Sequence, residues 1–278
     1  DLRMSRGLGD VYKRQQIDPS AVTPADIVGA VSAAGVESGM ECIRMIFPKL
    51  NMVPGILIAP GWSENAIVSA GLQAKTTHIN GVFNCVCIVD IDSSANGATK
   101  YDDVKQQKEK QAVTSANCYA VWLYAKVGDV LYAGSAMAAA VTVATDADNG
   151  DIPNVSPSNK TVPISAACLK DGTEVLLDQE QANVVNSFGV ATWLNINGFR
   201  LWGNNTACYP GNTDPKDRWF SVRRFFCWDD NTFIQTYFQK VDSPANKRLI
   251  EALVDSENVR GNSFVSRGIC ARLSLIHI

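Results

Sequence analysis

The sequence predicts an α/β protein built on a mainly parallel sheet flanked by helices, followed by a smaller α+β unit. Three observations carry this expectation. Short apolar runs recur at 54–61, 81–91 and 118–125, and near-continuous apolar strands are those buried on both faces of a parallel sheet. Segments with helical spacing separate these runs through short connections, the alternation of βαβ units. After residue 150 the chain becomes rich in Pro, Asn and Ser, and the alternation gives way to a different pattern.

The elements follow in order. PGILIAPG (54–61) reads as a short strand bounded by Pro and Gly. SENAIVSAGLQAKTTHI (63–79) reads as a helix with Ser63 as N-cap and Ala66, Ile67, Ala70, Leu72 and Ala74 as its apolar face. GVFNCVCIVDI (81–91) reads as a central strand ending at the acidic Asp90 and Asp92. YDDVKQQKEKQA (101–112) reads as a polar helix with a solvated face, and CYAVWLYA (118–125) as a third strand. AGSAMAAAVTVATDA (133–147) is a helix of small residues. DIPNVSPSNKTVP (151–163) is an irregular surface connection, and QEQANVVNSFG (179–189) a helix ended by Gly189. ATWLNINGFRLWG (191–203) and RWFSVRRFFCW (218–228) read as two strands joined by the loop NNTACYPGNTDPKD (204–217). Helices follow at NTFIQTYFQK (231–240) and SPANKRLIEALVDS (243–256), the second opened by Pro244.

Composition narrows the function classes. The 278 residues carry 25 basic and 28 acidic side chains, so no electrostatic case exists for a direct nucleic-acid partner. Apolar runs stop well short of the roughly 20 residues a membrane helix needs, so no membrane insertion is expected. No basic segment followed by an apolar one opens the chain, so no secretory signal is visible. Eight Cys, several inside apolar runs and none in paired C-x2-C spacing, read as reduced structural thiols of a cytosolic compartment rather than zinc ligands.

No catalytic apparatus is visible. GWSEN (61–65) lacks the G-x-S-x-G nucleophile pattern. Of the two histidines, His277 lies in the suspected non-native tail, so a Ser-His-Asp triad would have to use His78. DADNGD (146–151) resembles the start of a calcium loop, but Gly150, Asp151 and Pro157 stand where such a loop needs Asp or Asn, Gly and Glu. Neither a P-loop nor a dinucleotide fingerprint occurs. The N-x-S/T triplets at Asn154, Asn159 and Asn204 read as turn-forming Asn. No cofactor and no metal are expected. At the two ends, DVYKRQ and LSLIHI resemble translated sequencing-adapter remnants, so residues 1–15 and 273–278 are expected to be non-native and the natural chain to be truncated.

An ordered set of segments then carries a family resemblance: VPGILIAPGWS, VFNCVCIVDI, TDADNGDIPNVSPSNK, DGTEVLLDQEQANVVNSFGVATWLNINGFRLWGNNTACYPGNTDPKDRWFSVRRFF and IQTYFQKVDSPANKRLIEALVDS. The chain resembles the contractile tail sheath proteins of bacteriophages and prophages from about residue 26 to 270. Asn205 departs from the family, which often has Arg there. The resemblance implies a subtilisin-like core over 16–187 and a truncated C-terminal sheath domain over 188–272, a retained fold without protease chemistry. It further implies a virion subunit, assembled in the bacterial host cytoplasm, that polymerises with itself through terminal arms by β-augmentation. Its other partners would be the inner tail tube, baseplate and tail terminator proteins. Contraction would drive the tube through the host envelope for genome ejection. Two alternatives stay open: a hydrolase-like α/β enzyme with a non-standard site, and the sheath of a tailocin or secretion device. Under the sheath reading Trp202 and Trp219 are packing anchors and Cys208 a free thiol. Arg223 and Arg224, on opposite faces of a strand, are candidate inter-subunit contacts.

Overall fold

The computed structural model describes residues 21–244 and 246–271; the expected non-native segments 1–15 and 273–278 lie outside them. A five-stranded sheet of order β1-β2-β3-β7-β8 organises the chain. Its strands are β1 (Ile56–Ile58), β2 (Val86–Ile91), β3 (Cys118–Trp122), β7 (Val190–Asn195) and β8 (Phe199–Trp202). The first four are parallel and β8 returns antiparallel at the edge. A second, antiparallel sheet has the order β5-β4-β6, from Tyr124–Val127 (β4), Val130–Tyr132 (β5) and Ala166–Cys168 (β6). Every residue of β2 and β3 is buried, as a strand covered on both faces requires.

Helices α1 (Pro24–Val28) and α2 (Ile46–Leu50) precede the sheet. Helix α3 (Ala66–Ala74) links β1 to β2, and α4 (Val104–Lys110) links β2 to β3. Helix α5 (Gly134–Asp148) packs across β1, β2 and β3, and α6 (Gln179–Ser187) packs on β7. Helix α6 opens with a capping box in which Asp178 and Gln181 bond reciprocally. Large side chains fill the core with their polar atoms satisfied. Trp122 Nε1 donates to Ala98 O at 3.0 Å, Trp193 Nε1 to Leu123 O at 3.1 Å and Tyr119 OH to Gly203 O at 2.7 Å.

Several expectations from the sequence are corrected. The apolar run 118–125 is two strands in two sheets, broken at Leu123, whose φ of 84° turns the chain out of the first sheet. The stretch 191–203 is a hairpin, not one strand, turned at Asn197-Gly198 with positive φ at both residues. Asn65, not Ser63, caps α3, accepting from Ile67 N at 2.9 Å. The buried face of α3 is Val68, Ser69 and Leu72, whereas Ala66, Ile67, Ala70 and Ala74 are exposed.

The expected strand 218–228 is helical. After the single turn α7 (Pro215–Arg218), α8 runs from Phe220 to Tyr237. Its buried residues Phe220, Arg224, Cys227 and Asn231 recur at helical spacing, which overrides the aromatic run that looked strand-like. Pro244 does not open the last helix; Asn246 caps α9 (Lys247–Ser266), accepting from Leu249 N at 2.9 Å.

The described chain divides into two compact units between Asn231 and Thr232. The sheet continues through the expected partition at 187/188, because Val190 and Ala191 of β7 pair with Ala120 and Val121 of β3. In the second unit Glu257 is buried and pairs with Arg260, and the rings of Phe233 and Tyr237 lie 4.9 Å apart.

The reassigned face of α3 yields a direct comparison. Leu72→Ala should cost about 3 kcal/mol of unfolding free energy, the usual cost of emptying a core Leu site. Ile67→Ala should stay within about 0.5 kcal/mol, since Ile67 is 59% exposed. Denaturant titration of the two variants checks the order.

Candidate functional site

Open parallel sheets bind ligands beyond the carboxyl ends of their strands, and here that end holds a buried polar cluster. Asp90, near the end of β2, is 3% exposed. Its Oδ2 accepts from Ser63 Oγ at 2.7 Å and from Ser135 Oγ at 2.5 Å, and its Oδ1 accepts from Ser135 N at 2.6 Å. Ser63 Oγ in turn accepts from Asp90 N at 3.0 Å. The loop after β1, the end of β2 and the start of α5 are therefore joined at one carboxylate.

Helix α5 needs that carboxylate. Its N-cap position holds Ala133, which has no side-chain oxygen for the helix's unpaired N–H groups. Asp90 supplies the cap from another strand, with its negative charge at the positive end of the helix dipole. Only Gly fits at 134, where a Cβ would lie 2.5 Å from Leu123 O. Burial nevertheless pushes the Asp90 carboxyl above its ordinary range, against the lowering effect of the serine hydrogen bonds.

Neighbouring groups extend the cluster. Gln111 Nε2 donates to Asp90 O at 3.0 Å, and its Oε1 accepts from Asp92 N at 3.0 Å. Buried Glu64 accepts from Tyr124 OH at 2.7 Å through one oxygen and pairs with Lys170 through the other. A catalytic serine needs a base and a substrate within reach. Ser63 is fully buried and spends its proton on Asp90. His78 lies on the turn that leads into β2, at the opposite end of that strand from Asp90, with a φ of 55°. His277 lies outside the described residues. This cluster is built to hold three segments together.

The acidic turn 146–151 is also committed to structure. Asp146 forms a two-point pair with Arg224, NH1 reaching Oδ1 at 3.1 Å and NH2 reaching Oδ2. Arg224 is 7% exposed, leaves its Nε unpartnered, and lies 5.5 Å from the centre of the Phe220 ring. Arg223 bonds Asn117 Oδ1 through Nε and Asp217 through NH1, with 27% of its side chain exposed. Adjacent on a helix, the two arginines point about 100° apart rather than to opposite faces.

The loop 203–219 is stapled from within. Asn205 donates to Asn186 O at 3.0 Å and accepts from Arg218 Nε at 3.0 Å. The Arg218 guanidinium lies 4.2 Å from the ring centres of both Tyr209 and Trp219. Trp202 and Trp219 are half-buried. Cys208 is a half-buried free thiol whose Sγ lies 3.1 Å from Thr206 Oγ1. Lys108, expected on a solvated face, is instead buried, its Nζ donating to Phe188 O at 2.6 Å and Tyr209 O at 3.0 Å.

No protein-family model matches the chain. It is 27% identical over 260 residues to the tail sheath protein of Burkholderia phage BcepMu, covering 90% of this chain and 53% of that protein. It is 24% identical to the tail sheath protein of Escherichia phage P2, covering 96% of this chain and 64% of that one. In fold it matches the contracted PVC sheath complex of an extracellular contractile injection system with a TM-score of 0.63 at 18% identity, covering 83% and 60% of the two chains. It matches the contracted helical sheath of the anti-feeding prophage with a TM-score of 0.61 at 16% identity, covering 91% and 68%. The chain is related to contractile tail sheath proteins and spans little more than half the length of the first of these relatives.

Two outcomes follow from the buried charges. A carboxyl whose folded-state value is raised contributes stability below its unfolded value and loses it as pH rises through the folded one. Asp90→Asn should therefore remove a stability loss that the parent chain shows above pH 4, and equal or exceed the parent at pH 7. Asp90→Ala, which strands two hydroxyls and a backbone N–H, should cost about 3 kcal/mol. Unfolding of the three proteins between pH 4 and 8 checks both. Arg224→Met should cost about 3 kcal/mol by leaving Asp146 unpaired, and the double variant Arg224→Met/Asp146→Leu should recover most of it in the same assay.

Proposed function

We propose that this chain is part of a contractile tail sheath subunit, polymerising helically around an inner tail tube and contracting to drive that tube through a host envelope. The observation that carries the reading is sequence relationship to a phage tail sheath protein across 90% of the chain. The fold shared with contracted sheaths supports it. The core is read as a subtilisin-like scaffold emptied of protease chemistry, with a C-terminal sheath domain over 188–272. The sealed Ser63–Asp90–Ser135 cluster supports a structural rather than enzymatic role, because its groups are consumed by one another.

In this reading the principal partner is another copy of the chain, joined through terminal arms, with tube, baseplate and tail terminator proteins at its other contacts. The working location is the virion, with assembly in the host cytoplasm. Contraction is a rigid-body change between two packings and consumes no nucleotide. Large apolar residues are exposed near both ends of the described sequence, Val36, Leu50 and Met52 in one unit and Phe238, Val241 and Val259 in the other. Exposed apolar surface of this kind favours burial against neighbouring copies. Of the two candidate contact residues, Arg223 keeps enough exposed surface to meet an acidic neighbour, whereas Arg224 is spent on Asp146.

Electron microscopy of the full-length protein tests the function: helical tubes are expected, and persistent monomers with esterase or peptidase turnover would sink the reading. In that assembling protein Arg223→Glu should raise the concentration needed for polymerisation about tenfold by setting like charges across the contact. Unchanged assembly, with unfolding matching the parent, removes Arg223 as a contact.

A further inference from the structure

Among the described residues, no carboxylate pairs with the buried cation Lys108. The residue is 7% exposed, and its two hydrogen-bond acceptors are the neutral carbonyls of Phe188 and Tyr209. The first carbonyl stands at the C-terminal end of α6, where the helix dipole favours a positive charge. An ammonium has three protons to donate, and among the described residues the third has no acceptor and no carboxylate pairs with Lys108. A buried charge held by neutral dipoles alone is an incomplete arrangement.

Lys108 also lines a cleft of about 620 Å³, within the ordinary range for small-ligand sites. Its walls are largely apolar, from Val113, Phe188, Ala207 and Pro210. Lys105 and Glu109 share the lining and offset one another, so Lys108 supplies the net charge. Apolar walls with one excess positive charge suit one negative charge on an apolar body better than a multiply charged phosphate, which needs more donors than these.

We propose that this cleft binds a monocarboxylate with an apolar body, the carboxylate accepting the remaining proton of the Lys108 ammonium and the body lying on Phe188, Val113 and Pro210. The site is independent of the sheath reading, and neither stands or falls with the other. Burial brings Lys108 down to about 8, so it is mostly charged at neutral pH and discharges just above it. The other titratable groups facing it are Cys118, Cys208, Glu109, Lys105 and Tyr209.

Phenylacetate, with uncharged phenylacetamide as its control, titrated into the full chain by calorimetry tests the site. Saturable binding is expected at pH 7, at least about tenfold tighter for the acid, weakening by about tenfold per pH unit above 8 as the ammonium is lost. Lysine NMR should show the Lys108 titration midpoint rising when phenylacetate is bound. Equal binding of acid and amide, affinity constant from pH 7 to 9.5, or no saturable binding would overturn the proposal. Lys108→Met should abolish discrimination between acid and amide. Should that variant fail to fold, Lys110→Met decides, at an exposed position of α4 outside the cleft: it should keep affinity within about twofold and the midpoint near 8. Loss of the pH dependence in it would assign the charge elsewhere and overturn the proposal.

Discussion

The rest of the structure depends on one buried carboxylate at the end of a central strand. Asp90 lies where β2 leaves the sheet, and helix α5 begins with an alanine that cannot cap it. The strand therefore supplies what the helix lacks. Because α5 packs across β1, β2 and β3, fixing its first turn fixes how the helix lies on three strands at once. Ser63 extends the same constraint to the loop after β1. The charge is costly to bury, as its raised carboxyl shows, yet three donors and a helix terminus converge on it.

The other end of α5 is held by a different device. Asp146, in its last turn, is gripped at two points by Arg224 of α8. A carboxylate at a helix C-terminus meets the dipole unfavourably, and the guanidinium corrects that. Sequence-distant segments are thus tied to one helix by opposite means, an anion at its start and a cation near its end. Asn231 adds a further tie by bonding the backbone of Asn84, just before β2, through both amide atoms. The long first unit owes its connectedness to such polar contacts as well as to its apolar core.

Much of this order was legible in the residues. VCIVDI announces a doubly buried strand because nothing polar interrupts it before Asp90, and that strand stands where the run lies. The alternation of strands and helices up to α5 follows from the same logic. What failed was local pattern under competing signals. The run 218–228 carries five aromatic residues, which imitate a strand, although Phe220, Arg224, Cys227 and Asn231 already mark a helical stripe. Asn197-Gly198 was a hairpin signal set inside a run that otherwise reads as continuous. Ser63 looked like a cap because caps are read one residue at a time, whereas its partner Asp90 is 27 positions away. Lys108 was unreadable for the same reason: nothing in VKQQKEK says that two distant carbonyls will draw one lysine inward.

The buried cluster also bears on the choice between chemistry and architecture. A catalytic site keeps its reactive groups partly unsatisfied, because the substrate must supply the missing partner. At the carboxyl end of this sheet the groups around Asp90 are bonded to one another, although the buried Ser93 hydroxyl just beyond β2 has no partner among the described residues. Ser63 is bound to Asp90, Asp90 to Ser135, Glu64 to Tyr124 and Lys170, and Gln111 to the backbone of two strand-end residues. Filling the usual ligand crevice with internal bonds closes it to substrates and stiffens the junction between strands and helices. In the proposed sheath reading, a subunit that swings between two packings without deforming would use that stiffness, since motion then falls on the contacts between copies and not on the fold itself. In that reading the positions that would form an open site in an enzyme contribute rigidity, and Lys108, whose third proton lacks an acceptor among the described residues, departs from that closure.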